Sequence, residues 1–114
     1  MLKTNLTHVL SEQEHAKLLQ ENENVMICCG RMGPMCIPVY EVMESLEGEY
    51  TNVKFADMEF DTPDAKVIRN LPEVRGFQGI PFVIYYKNGK VVKATSSIQN
   101  RDQVTSILDE NFSK

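Results

Sequence analysis

The sequence has no apolar run near the roughly 20 residues that a membrane-spanning helix needs, so no membrane partner is expected. Its first residues, MLKTNLTHVL, lack the apolar stretch and small-residue cleavage site of a secretory signal. A cytoplasmic protein is the expectation. Basic residues are scattered, and 12 Lys and Arg against 16 Asp and Glu leave a formal charge of −4. Without a basic stripe to release counterions from a phosphate backbone, no nucleic-acid partner is expected. No internal repeat, low-complexity tract or long linker interrupts the chain, which points to one domain over 1–114, expected as a monomer. Histidine is scarce. His8 and His15 lie far from any cysteine in sequence and read as surface residues. Zinc needs four ligands at a recognised spacing, and that set is missing, so neither a metal nor another cofactor is assigned.

What is present is ordinary for a soluble globular protein: 42% apolar and 25% charged residues. THVL, 7–10, suits a short strand. SEQE, 11–14, reads as a capping box opening a helix to about Gln20, with Ala16, Leu18 and Leu19 on its inner side. VMICC, 25–29, is apolar without alternation and suits a central strand buried on both faces. Val39, Val42, Met43 and Leu46 recur at helical spacing before a stop at Gly48. NVKFADMEFD, 52–61, begins as a strand, and a short helix follows Pro63 to about Asn70. LPEVRGFQG reads as loop. Strands 82–87 and 90–96 flank Asn88-Gly89, the residue pair that supplies positive φ to a tight hairpin turn. Asn100 caps a last helix, with Gln103 three residues on and an apolar stripe of Val104, Ile107, Leu108 and Phe112. The order β-α-β-α-β-α-β-β-α implies a parallel sheet portion with an antiparallel hairpin at one side. Ligands of such sheets sit beyond the carboxyl ends of the strands. At the end of VMICC lies CCGRMGPMC, residues 28–36, where three cysteines and two methionines crowd a Gly-Pro turn.

The chain resembles the thioredoxin family over nearly its whole length. The resemblance rests on the apolar strand leading into Gly33-Pro34, on VKFADMEFD with Asp61, on Gly79-Ile80-Pro81, on Tyr86-Lys87-Asn88-Gly89-Lys90 and on the closing helix. It implies an α/β fold, a three-layer α/β/α sandwich around a mixed sheet of four or five strands. It implies that Pro81 is cis and lies beside the active-site loop. The backbone of Ile80 would then be free to pair with an extended substrate segment. It also implies thiol–disulfide exchange with a protein disulfide or thiol substrate, and an electron donor of the thioredoxin-reductase type. The departures are specific. Cys-Gly-Pro-Cys is replaced by Met32-Gly33-Pro34-Met35, and a thioether has no proton to lose. The family's buried aspartate is Met26, the lysine near it is Asp57, the tryptophan before the motif is Arg31, and a glycine lining the groove is Ser97.

Among the sulfurs, Cys36 is the best reactive candidate. Pro38 belongs in a first helical turn, which places Cys36 at a helix N-terminus, where free amides and the dipole favour a thiolate. Arg31 adds positive charge. Cys28 and Cys29 are consecutive in a strand and point to opposite faces. Cys29, nearer the strand end, is the favoured partner of Cys36, and Cys28 reads as core packing. Cys29 itself reads equally as core, and Met32 and Met35 read either as a flexible apolar rim or as cover for the core. Asp57 reads as a solvated strand-end charge rather than a proton relay. Three functions remain in order. The first is an atypical thiol–disulfide oxidoreductase acting through Cys36 and Cys29, with Met32, Gly33, Pro34, Met35, Ile80 and Pro81 holding the substrate. The second is a redox-inactive protein-binding module. The third is a Cu(I) site of Cys29, Met32, Met35 and Cys36, soft ligands suited to that ion.

Overall fold

The computed structural model describes residues 2–112. Strand β1 covers Thr7–His8, β2 Asn24–Gly30, β3 Lys54–Glu59, β4 Phe82–Lys87 and β5 Lys90–Ser96. Helix α1 covers Glu12–Glu21, α2 Ile37–Leu46, α3 Lys66–Arg69 and α4 Arg101–Asn111. Together the strands form a five-stranded sheet in the order β1-β3-β2-β4-β5. β1, β3 and β2 run parallel, and β4 and β5 add antiparallel to one side. This is the mixed sheet expected of the resemblance, with helices on both faces.

The layers follow from strand alternation. Met26, Cys28, Phe55, Val83 and Tyr85 meet the inner sides of α2 and α4 on one face. Val25, Ile27, Cys29, Met58 and Ile84 meet α1 and α3 on the other. All seven residues of β2 are buried, as the unbroken apolar run requires of a strand covered on both faces. Asn88 and Gly89 take φ of 52° and 79°, the left-handed pair that a two-residue hairpin turn needs. At α4 the capping box is complete: Asn100 accepts from the Gln103 N–H, and the Gln103 side chain accepts from the Asn100 N–H.

Local differences have local causes. Ser11 does accept from the Glu14 N–H, but the Glu14 carboxylate reaches Leu10 N–H, one residue further back than the box predicts. Ala16 is exposed and His15 is buried in its place. Its imidazole Nε2 lies 3.1 Å from the Tyr86 hydroxyl, and that partner makes burial of the ring tolerable. The stretch read as loop after Leu71 contains a single 3₁₀ turn, Pro72–Val74, which buries Val74.

Candidate functional site

β2 ends at Gly30, and the chain then turns through Arg31 to Met35 before α2. The turn is wound before the helix begins. The Gly33 carbonyl accepts from the N–H groups of both Cys36 and Ile37, at 3.1 and 2.9 Å. Cys36 therefore sits at the helix start, as expected, but the amides around it are already engaged. They are not the free donors that would hold a thiolate.

Cys36 is 1% exposed, and its sulfur lies inside the site. It packs over Gly30, beside the Tyr40 hydroxyl and the Pro81 ring. A methyl built on Gly30 would lie 2.7 Å from Cys36 Sγ, 2.9 Å from Tyr40 Oη and 3.1 Å from Pro81 Cβ. The Ile80–Pro81 peptide is cis. The Arg31 N–H donates to Cys36 Sγ over 3.4 Å. Tyr40 Oη donates to the Arg31 carbonyl over 3.1 Å. Burial pushes the Cys36 thiol above the ordinary range, outweighing the Arg31 N–H, the Tyr40 contact and the Arg31 charge. The expected activation of Cys36 is corrected on this ground: its surroundings favour the protonated form.

The expected partnership of Cys36 with Cys29 is corrected too. Cys29 packs in the layer of α1 and α3, and Cys36 in the layer of α2 and α4, with the sheet between them. Cys28, read from sequence as core, shares the layer of Cys36. All three cysteines are free thiols. Burial drives Cys28 upward and pushes Cys29 up to about 12. With Cys29 across the sheet, the four sulfurs named for Cu(I) are not assembled. Among the described residues no group of three or more His, Cys, Asp or Glu side chains could hold a metal ion.

The remaining site residues grade from the surface inward. Met32 and Met35 are 42% and 44% exposed, and Pro34 between them is exposed as well. Gly33 and Ile80 are half-buried, and Pro81 is buried. Ile80 precedes the β4 ladder, which opens at Phe82. The Lys3 N–H donates to Met32 Sδ over 3.4 Å. Arg31 turns away from the sulfur, in a two-pronged pair with Asp61 at 2.7 and 2.8 Å, over the face of Phe60. Ser97 holds a φ of 66°, which few residues but glycine adopt, and its hydroxyl fills the space a methyl on Gly79 would need. The Ser97 N–H donates to the Pro81 carbonyl.

Two parts of this arrangement go beyond the sequence expectation. Tyr40 joins the buried side of α2, standing three residues before Met43. Asp57 was read as solvated, yet it is 1% exposed. It accepts from the Thr4 hydroxyl and lies 2.7 Å from His8 Nδ1. Burial raises its carboxyl despite both contacts. His8, read as a surface residue, is thus half-buried by this pairing. The signal was the alternation that puts Asp57 on the same side of β3 as Phe55. Its register partner on β2 is Cys28, so a carboxylate does stand beside the sulfur layer, one strand away from where the family has it.

No protein-family model and no curated protein sequence matches the chain. Solved structures do. Thioredoxin of Plasmodium falciparum is 19% identical, with a TM-score of 0.71 over 93% of this chain and 99% of that one. Mitochondrial thioredoxin 3 of Saccharomyces cerevisiae is 15% identical, with a TM-score of 0.74 over 91% and 94%. Thioredoxin f of spinach chloroplast is 15% identical, with a TM-score of 0.78 over 95% and 87%. A β1-β3-β2-β4-β5 sheet with helices on both faces and this likeness lead to one conclusion: the chain has the thioredoxin fold.

Proposed function

We propose that this chain uses a thioredoxin-type groove to bind an extended, apolar segment of a partner protein, without exchanging disulfides with it. The observation that carries the reading is the division of sulfurs at the site. The two that reach solvent are the thioethers of Met32 and Met35, and the nearest thiol, Cys36, is sealed and held protonated. Methionine suits a contact surface because its unbranched chain adapts to varied apolar partners. The Ile80 backbone, ahead of the β4 ladder, is the edge along which such a segment would lie. The test starts from short random peptides selected on the immobilised protein. Binders rich in apolar residues are expected, with affinity falling by about tenfold or more on Met35→Glu. The protein should not accelerate reduction of insulin disulfides by dithiothreitol. Acceleration, or binding indifferent to Met35→Glu, defeats the proposal.

A second reading is thiol–disulfide exchange at Cys36, which the likeness to thioredoxins brings and the position of its sulfur against Pro81 favours. Its partner would be Cys28, in the same layer, and its substrate a protein disulfide or thiol. Peptide mapping after mild oxidation would then find a 28–36 link that dithiothreitol removes.

A further inference from the structure

The order in which the sulfurs meet an oxidant is reversed by their placement. A thiolate ordinarily reacts with peroxide before a thioether does, and susceptibility follows thiolate character and exposure. Here both criteria run against the cysteines. Cys28 and Cys29 are fully buried, and Cys36 is closed off by Gly30, Tyr40 and Pro81. Among the described residues the methionines divide just as sharply. Met26, Met43 and Met58 are packed in the two cores at no more than 1% exposure, whereas Met32 and Met35 stand in solvent three residues apart on the site loop.

We propose that Met32 and Met35 form a reversible oxidation site, and that their conversion to sulfoxides turns off the apolar face beside Pro81. The inference deepens the binding reading above and rests on it for its consequence, but not for its chemistry. In the forward step a peroxide transfers one oxygen to the thioether sulfur. The peroxide O–O bond breaks, an S–O bond forms, the sulfur is oxidised by two electrons, and water or an alcohol leaves. In the return step two thiols of a sulfoxide-reducing enzyme supply two electrons and two protons. They form a disulfide, release the oxygen as water and restore the thioether. Each sulfoxide places a strong dipole where an apolar side chain stood, so a partner's apolar segment would have to cover an unpaired polar oxygen. At Met32 the change also acts inside the protein. Its sulfur already accepts from the Lys3 N–H, and a sulfoxide oxygen is the stronger acceptor.

The test treats the full chain with graded hydrogen peroxide. Peptide mapping scores oxygen at each methionine, and alkylation after denaturation counts surviving thiols. Met32 and Met35 are expected to gain one oxygen each at least about tenfold faster than Met26, Met43 and Met58, before any thiol is lost. Loss of the Cys36 thiol first, or buried methionines keeping pace, overturns the site. Retention on a hydrophobic-interaction column should fall with oxidation. It should return after treatment with methionine sulfoxide reductases, and the Met32→Leu/Met35→Leu variant should not respond to peroxide. Unchanged retention of fully oxidised wild type overturns the switch. Neither readout needs a peptide partner, so failure to select any binder would count against the binding reading alone.

Discussion

Replacing Gly30 by alanine adds one methyl at the crowded centre of the site. The Gly30 backbone lies outside the left-handed region, so alanine meets no conformational penalty there and the cost is one of packing alone. The new carbon would fall 2.7 Å from Cys36 Sγ, 2.9 Å from Tyr40 Oη and 3.1 Å from Pro81 Cβ. None of the three moves freely. Cys36 is held through its N–H to Gly33 and through its carbonyl, which accepts from Val39 and Tyr40. Tyr40 is held through the Arg31 carbonyl, and Pro81 is a rigid ring. Overpacking of this kind costs about 1–3 kcal/mol. Loss of glycine's freedom in the unfolded chain returns about 0.4–1 kcal/mol. A net loss of about 1–2 kcal/mol lowers the melting temperature by roughly 4–8 °C for a chain of this size. Urea unfolding followed by far-ultraviolet circular dichroism measures it, with tyrosine emission as a second probe, since the sequence has no tryptophan. Cys36→Ala removes the closest of the three atoms. In that background the cost of Gly30→Ala should shrink by about 1 kcal/mol, the coupling expected of groups in contact. Equal costs in both backgrounds, or a Gly30→Ala protein as stable as the wild type, would refute the packing described around the sulfur.

Other outcomes follow from neighbouring features. Tyr40→Phe removes the bond to the Arg31 carbonyl and should cost about 1 kcal/mol, with native-state alkylation of Cys36 by iodoacetamide faster than in wild type by mass spectrometry. Burial lowers the affinity of His15 for a proton. The unfolded chain therefore binds more protons below the ordinary histidine pKa of about 6.5, and the contribution of neutral His15 is present above that pH and lost as pH falls through it. The urea midpoint of wild type minus that of His15→Phe should accordingly fall from pH 8 to pH 5, and a rise toward acid contradicts the assignment. Ser97→Gly relieves a left-handed φ at the expense of a more flexible unfolded chain, for a net gain of up to about 1 kcal/mol. It should also make Gly79→Ala tolerable, which the Ser97 hydroxyl otherwise obstructs at 2.5 Å; thermal melts of the single and double variants decide this.

The layered fold was legible because its signals are local and mutually consistent. VMICC has no polar position, Asn88-Gly89 admits one turn family, and Asn100 with Gln103 makes a complete cap. The site was legible in position and not in chemistry. Pro38 places Cys36 at the start of α2 correctly. What it does not reveal is that Gly33 already takes the amides on which activation would depend; the cue for that bond was Pro34, at the second position of the 33–36 turn. Which neighbour Cys36 faces is set by a single step of strand parity. With Cys28 and Cys29 adjacent, nearness to the strand end favoured the wrong one. The burial of Asp57 needed Thr4 and His8, more than forty residues away in sequence, and no local pattern announces partners at that range.

The same parity gives the central strand an unplanned use as a gauge. Two neighbouring thiols hang into opposite halves of the molecule, each reachable by reagent only when its own half parts from the sheet. If α1 and α3 peel away before α2 and α4, Cys29 is labelled while Cys28 stays silent. If the halves come apart as one cooperative unit, the two sulfurs are labelled together.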